Sequence, residues 1–164
     1  MDEVLRQLPK KAKEKHSENK KFFAKLKKKA PKNLDYLMQE LHEAEFKRTD
    51  CLTCANCCKT TSPIFTEKDI RRISKYLKMK ESRFIDQYLQ RDEDDFMVLK
   101  TSPCTFLDHD NSCFIYDVRP KAYSEYPHTN RKKFIQLTDL TLKNTEICPA
   151  VFNMVETLKE KLPL

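Results

Sequence analysis

The sequence predicts a helix-rich α+β protein, with helices around a small, irregular, cysteine-bearing centre that contains two or three short strands. Three observations carry this. Apolar residues recur at helical spacing in several segments between residues 9 and 162. Three short β-rich runs (96–100, 104–107 and 113–116) are separated by turn residues. Four of the seven cysteines crowd into "CLTCANCC", residues 51–58.

Taken in order, residues 9–30 read as helix because Ala, Lys and Glu favour that state, and Pro9 suits a first turn. The apolar face of this segment is thin: Phe22, Phe23, Leu26 and Ala30. Residues 33–46 make a better amphipathic helix, with Leu34, Leu37, Met38 and Leu41 on one face and Asn33 as N-cap. "TEKD" (66–69) has the form of a capping box, and Ile70, Ile73 and Leu77 continue at helical spacing. "ESRFIDQYL" (81–89) predicts a further helix. In "LDHDNSC" (107–113), Asn111 is the residue suited to a left-handed turn. Residues 132–145 are compatible with helix or strand, since threonines weaken the helical reading. Residues 148–162 predict a helix with Pro149 at its first position and Val151, Val155, Leu158 and Leu162 as its stripe.

Charge divides the chain. Residues 1–32 hold twelve Lys or Arg against four acids, net +8, whereas residues 33–164 hold twenty against twenty-one, net −1. The contrast predicts a basic helical appendage over residues 1–48. A cysteine-cluster domain with the C-terminal helix would then cover 49–164.

Composition removes several function classes. The chain has no glycine, so the P-loop, the dinucleotide fingerprint and the nucleophile elbow of α/β-hydrolases are all excluded. With 35% charged residues, no long apolar run and no apolar leader, the expectation is a soluble cytoplasmic protein with no membrane partner. Cytosolic cysteines stay reduced, and seven is an odd number, so clustered thiols point to metal before disulfides.

Cys51, Cys54 and Cys57 have the C-x₂-C-x₂-C spacing that lets thiolates converge on one ion or cluster. On a continuous helix, Cys51, Cys54 and Cys58 would share a stripe, and Cys57 would stand about 100° from Cys58. Both serve one metal only if the backbone turns sharply at that adjacent pair. Cys104 and Cys113 bracket a turn, and Cys148 sits at a helix start, where the dipole favours a thiolate. All seven, Cys51, Cys54, Cys57, Cys58, Cys104, Cys113 and Cys148, are therefore candidate ligands, expected to meet in one centre. No catalytic residue is indicated.

"CLTCANCC", "PCTFLDHDNSCFIYDVRPKAYSEYPH" and "CPAV", in that order, resemble the YkgJ-like CxxCxxCC cysteine-cluster family, whose members are held to chelate zinc or iron. The resemblance covers residues 51–150 and implies metal chelation without a defined reaction. It also implies an eighth cysteine and an arginine where this chain has Tyr123 and Ser124. Either one site has lost a ligand, or Tyr123 or His128 substitutes for that thiol, or the site no longer binds metal; a phenolate suits ferric iron better than zinc.

The leading reading is thus a zinc- or iron-binding protein, with a metal ion as its partner and enzymatic activity not favoured. One alternative is an iron–sulfur or iron-dependent redox enzyme; Cys58 following Cys57 immediately departs from the bacterial ferredoxin spacing. Another is a zinc-stabilised nucleic-acid-binding module using the basic arm, although Phe22 and Phe23 are that arm's only stacking aromatics.

Overall fold

A computed structural model describes residues 1–164, and the helix-rich α+β class holds. Nine α-helices and two 3₁₀ turns accompany one two-stranded antiparallel sheet. The chain forms two compact units. The first comprises residues 1–54 and 127–164, the second residues 55–126.

The first unit contains α1 (Asp2–Lys28), α2 (Leu34–Phe46), α3 (Cys51–Cys54), α8 (Thr138–Asn144) and α9 (Pro149–Lys161). Helix α1 begins seven residues before Pro9, so the proline lies inside it and not in the first turn. Asp2 and Glu3 supply the negative charge that a helix start favours. Lys15 reaches Glu156 at 3.8 Å, Lys159 reaches Glu18 at 2.5 Å, and the Lys25 ammonium donates to the Leu164 carbonyl at 3.0 Å. Partners increase together along both chains, so α1 and α9 run in the same direction.

Phe22, Phe23 and Leu26 of α1 enter one core with Met38 of α2 and Val155 and Leu158 of α9. Residues 1–54 pack as one body with 127–164. The reason is energetic: a thin apolar stripe is still worth about 25 cal/mol for each Å² it buries. Asp35 of α2 accepts from the Lys133 and Phe134 amides at 2.7 and 2.9 Å, seating the fully buried Phe134 ring. Residues 132–145 resolve as a 3₁₀ turn (Phe134–Leu137) followed by α8.

Asn19 stands in the inward stripe of α1, 0% exposed, with neither side-chain amide atom hydrogen-bonded. A buried orphan amide costs about 1–3 kcal/mol. Asn19→Leu should therefore stabilise the protein by about 1–2 kcal/mol and raise the melting temperature by a few degrees, read by calorimetry. A lower melting temperature would mean that the amide has a partner, such as a buried water.

The second unit contains α4 (Asn56–Thr60), α5 (Glu67–Tyr76), α6 (Glu81–Tyr88), α7 (Lys121–Ser124) and the hairpin of β1 (Leu89–Arg91) and β2 (Met97–Leu99). The register is Leu89↔Leu99, Gln90↔Val98, Arg91↔Met97. The hairpin realises the run at 96–100, whereas 104–107 and 113–116 are joined only by an isolated bridge, Leu107↔Cys113. Asp108 and Asp110 spend their side chains on turn amides there, and a 3₁₀ turn (Tyr116–Val118) follows at once, leaving no length for strands. Asn111 has the expected left-handed backbone, φ 67°.

The capping box at α5 forms as read: Thr66 Oγ1 accepts from the Asp69 amide, and Asp69 accepts from the Thr66 amide. The Asp69 carboxylate, 1% exposed, also takes Arg72 at 2.7 Å and the Lys121 amide at 3.1 Å. Burial opposes its charge, but the bonds from Thr66, Arg72 and Lys121 win and hold its pKa below the usual value. The core is aromatic: Phe84, 0% exposed, lies against Phe65, Tyr88 and Phe106 at ring separations of 6.2, 5.3 and 6.3 Å.

Candidate metal centre

The octapeptide is not one helix. Helix α3 carries Cys51 and Cys54, helix α4 carries Cys57 and Cys58, and Ala55 between them adopts left-handed backbone, φ 46°. A non-glycine residue there costs about 1–2 kcal/mol. The sharp turn thus falls at Ala55 and not at the Cys57–Cys58 pair, which shares α4, and it coincides with the boundary between the two units. Three of the seven cysteines fall in the first unit and four in the second. None of the seven cysteines is in a disulfide.

Cys51, Cys54 and Cys148 belong to the first unit. Cys148 is the N-cap residue of α9, and its amide donates to the Asn144 carbonyl at 2.8 Å. Its thiol lies near enough to Cys51 and Cys54 to be affected by charge on either. Burial pushes its pKa up to about 12, against a pull from the Val151 and Ala150 amides. The helix start does act on this thiol in the expected direction, but desolvation is the larger effect.

Cys57, Cys58, Cys104 and Cys113 belong to the second unit. The Cys104 amide donates to the Cys58 carbonyl at 2.8 Å, the Leu107 amide to the Cys104 carbonyl at 3.1 Å, and Leu107 bridges to Cys113. This backbone chain gathers three thiols from three segments. The Cys58 thiol is lowered to about 7, first by a hydrogen bond from Cys57, then by Tyr123 and the Lys59 charge. Burial pushes Cys104 up to about 11 and raises Cys113.

Tyr123 packs against the aromatic core of the same unit. Its hydroxyl donates to the Thr61 carbonyl at 2.7 Å and lies 3.4 Å from the Cys57 carbonyl. Burial, and then the neighbouring Cys58, Cys104 and Cys57 thiols, drive the phenol well above its usual pKa, so it stays neutral. His128 lies in the first unit with left-handed backbone, φ 66°.

No three His, Cys, Asp or Glu side chains stand around a common point. The two groups are thus neighbourhoods of thiols set by the fold. Their chemistry fits a thiophilic cation. The donors are soft, and the thiols of Cys104, Cys113 and Cys148 are held protonated chiefly by desolvation, which a bound cation offsets. The second unit also has a cleft of about 690 Å³ lined by Thr66, Lys68, Asp69, Arg72, Arg119 and Lys121. Asp69 and Arg72 satisfy each other there and leave no buried group waiting for a ligand.

Sequence reasoning missed Ala55, since alanine carries no signal for left-handed backbone. It also missed Glu45 of α2, which is 2% exposed and accepts from Arg48, from Thr49 at 3.1 Å and from Asn153 of α9 at 2.8 Å. Glu45 thereby ties α2, two turns ahead of Cys51, to the helix that Cys148 begins.

Helices around clustered reduced thiols define a thiol-cluster protein of the metal-chelating class. The match is to the family model described as "CxxCxxCC: Putative zinc- or iron-chelating domain", over residues 50–149, and the chain belongs to this family. No curated protein and no solved structure matches the chain. No helix is long and apolar enough to cross a membrane.

Proposed function

We propose that the chain binds zinc or iron through its thiols: Cys51, Cys54 and Cys148 in the first unit, and Cys57, Cys58, Cys104 and Cys113 in the second. The observation that carries this is the grouping itself. Residues 46 positions apart, Cys58 and Cys104, are joined amide to carbonyl, and Cys148 lies beside thiols more than 90 residues earlier in the chain. Gathering several desolvated thiols in one place is unfavourable for their charged forms unless a cation is the intended companion.

Four thiols in the second unit suffice for a closed tetrahedral site, and three in the first leave a position for a further ligand. A cation held there would supply Lewis acidity or, for iron, redox chemistry. The chain's own part is to deliver the sulfurs and to give up their protons, so affinity should fall as pH is lowered. Tyr123 serves as a neutral donor that fastens the end of α4 to the core. It is not a ligand in this reading, since ligation would forfeit its 2.7 Å bond to Thr61.

The test is metal analysis of protein purified without oxygen, together with Cys104→Ser, Cys148→Ser and Tyr123→Phe. Zinc or iron should be present in whole-number ratio to the chain. Each cysteine variant should lose metal from its own group, and Tyr123→Phe should keep the ratio while losing about 1–2 kcal/mol of stability. Failure of wild-type protein to retain either metal after reconstitution would refute the reading. A brown protein with sulfur-to-iron absorption would select iron or an iron–sulfur cluster over zinc.

A further inference from the structure

Helix α1 is 27 residues long, about 40 Å, and only one side of it is used by the core. At about 100° per residue, Leu8, Ala12, Asn19, Phe22, Phe23 and Leu26 centre on one direction. Lys10, Lys13, Lys20, Lys21 and Lys28 fall within about 75° of the opposite direction. All five are exposed and make no ion pair. Of the other lysines of the helix, Lys11 stands on the flank, about 100° from the outward direction, while Lys15 is paired with Glu18, Lys27 with Asp139, and Lys25 is bonded to the Leu164 carbonyl. Between Lys10 and Lys28, Glu14 is the one acid on the outward face, because Glu18 turns to Lys15 and Lys159.

The result is a straight row of uncompensated ammonium groups about 27 Å long on a rigid support. Five like charges along one face repel one another, and that cost is relieved by a partner with regularly spaced negative charge. We propose that the outward face of α1 is a docking surface for the phosphate backbone of a nucleic acid, independent of base sequence. Charge complementarity selects this occupant: one strand of a duplex offers about eight phosphates over that length. A lipid surface is a poorer fit, because a helix lying on a membrane buries an apolar face, and this one presents nothing larger than Ala24. A protein partner is a poorer fit as well, since interfaces centre on aromatic anchors and are depleted in lysine. Between Lys10 and Lys28 the outward face has no aromatic ring for base stacking and no Arg, Asn or Gln for reading base edges, so recognition rests on charge alone. The proposal is independent of the metal reading.

The test is fluorescence anisotropy of the full-length protein with a 30-base-pair DNA duplex, the matching RNA duplex and a single strand, at about 50–200 mM salt. Anionic vesicles of phosphatidylserine and phosphatidylcholine form a further arm. Five phosphate contacts predict a slope near −4.5 in log K against log salt for B-form DNA, an affinity loss of about 500-fold over that range. Two DNA duplexes of unrelated sequence should bind alike. Replacing all five lysines with Gln should flatten the slope toward zero, and each single replacement should reduce it by about 1. Far-UV circular dichroism verifies that the variants keep α1. An unchanged slope in the five-lysine variant would overturn the proposal, as would no binding of wild type to any nucleic acid at 50 mM salt. Equal dependence of vesicle binding on the five lysines would assign the face to a membrane surface instead. Preference among DNA, RNA and single strand identifies which backbone is the partner.

Discussion

Deleting residues 1–30 should unfold the first unit. The deletion removes Phe22, Phe23 and Leu26 from a core that also contains Val155 and Leu158 of α9. Losses of this kind cost about 3–5 kcal/mol for each phenylalanine and about 2–5 for the leucine. Their sum rivals the whole stability of a typical domain, about 5–15 kcal/mol. The truncated protein should lose its cooperative melting transition and the dispersed methyl resonances of the α9 core. It should also fail to hold metal at Cys51, Cys54 and Cys148, because Cys148 takes its place from the start of α9. A truncated chain with the melting curve and metal content of the full protein would restore the view of α1 as an appendage.

Glu45→Ala should be the most damaging single substitution near the thiols. It leaves the Asn153 amide and the Thr49 hydroxyl without their acceptor and releases the Arg48 guanidinium. Most of the Arg48 side chain is in water, so its share of the loss is discounted. The expected cost is about 2–4 kcal/mol, measured by urea denaturation. The more informative effect is on the site. Glu45 joins α2 to α9, which bear on Cys51 and Cys148 respectively, so metal should leave the first group faster under a chelator while the second group keeps its rate. Equal release from both groups would show that Glu45 contributes general stability alone. Glu45→Gln, which keeps an acceptor for Asn153, should recover part of the loss.

The parts of the fold that were legible in the sequence are those fixed by short-range physics. Thr66 and Asp69 cap α5 within four residues, Pro149 starts α9, Asn111 makes its own turn, and the stripe Leu34–Met38–Leu41 marks α2. In each case the residues that decide the conformation are neighbours in the chain, so the pattern is complete in a short window. The roster of thiols was equally legible, because a metal-binding spacing is local.

Tertiary structure decided the rest. The stripe on α1 is too thin to declare its own partner, and the parallel helix α9 that covers it lies some 140 residues away. Leu89 reads in sequence as the end of α6, and only pairing with β2 makes it the first residue of a strand. Ala55 turns left-handed with no local preference for doing so, because the structure around it outweighs a cost of about 1–2 kcal/mol. The division of seven cysteines into three and four follows from that turn and from the bond between the Cys104 amide and the Cys58 carbonyl. The thiol acidities depend on burial, which no spacing encodes: desolvation raises Cys104 and Cys148, while a neighbouring thiol lowers Cys58. The sequence by itself determined which atoms are available for chemistry and which short helices present them. Which sulfurs share a neighbourhood, and at what acidity, was decided by contacts between segments far apart in the chain, because both depend on what else is packed around the sulfur.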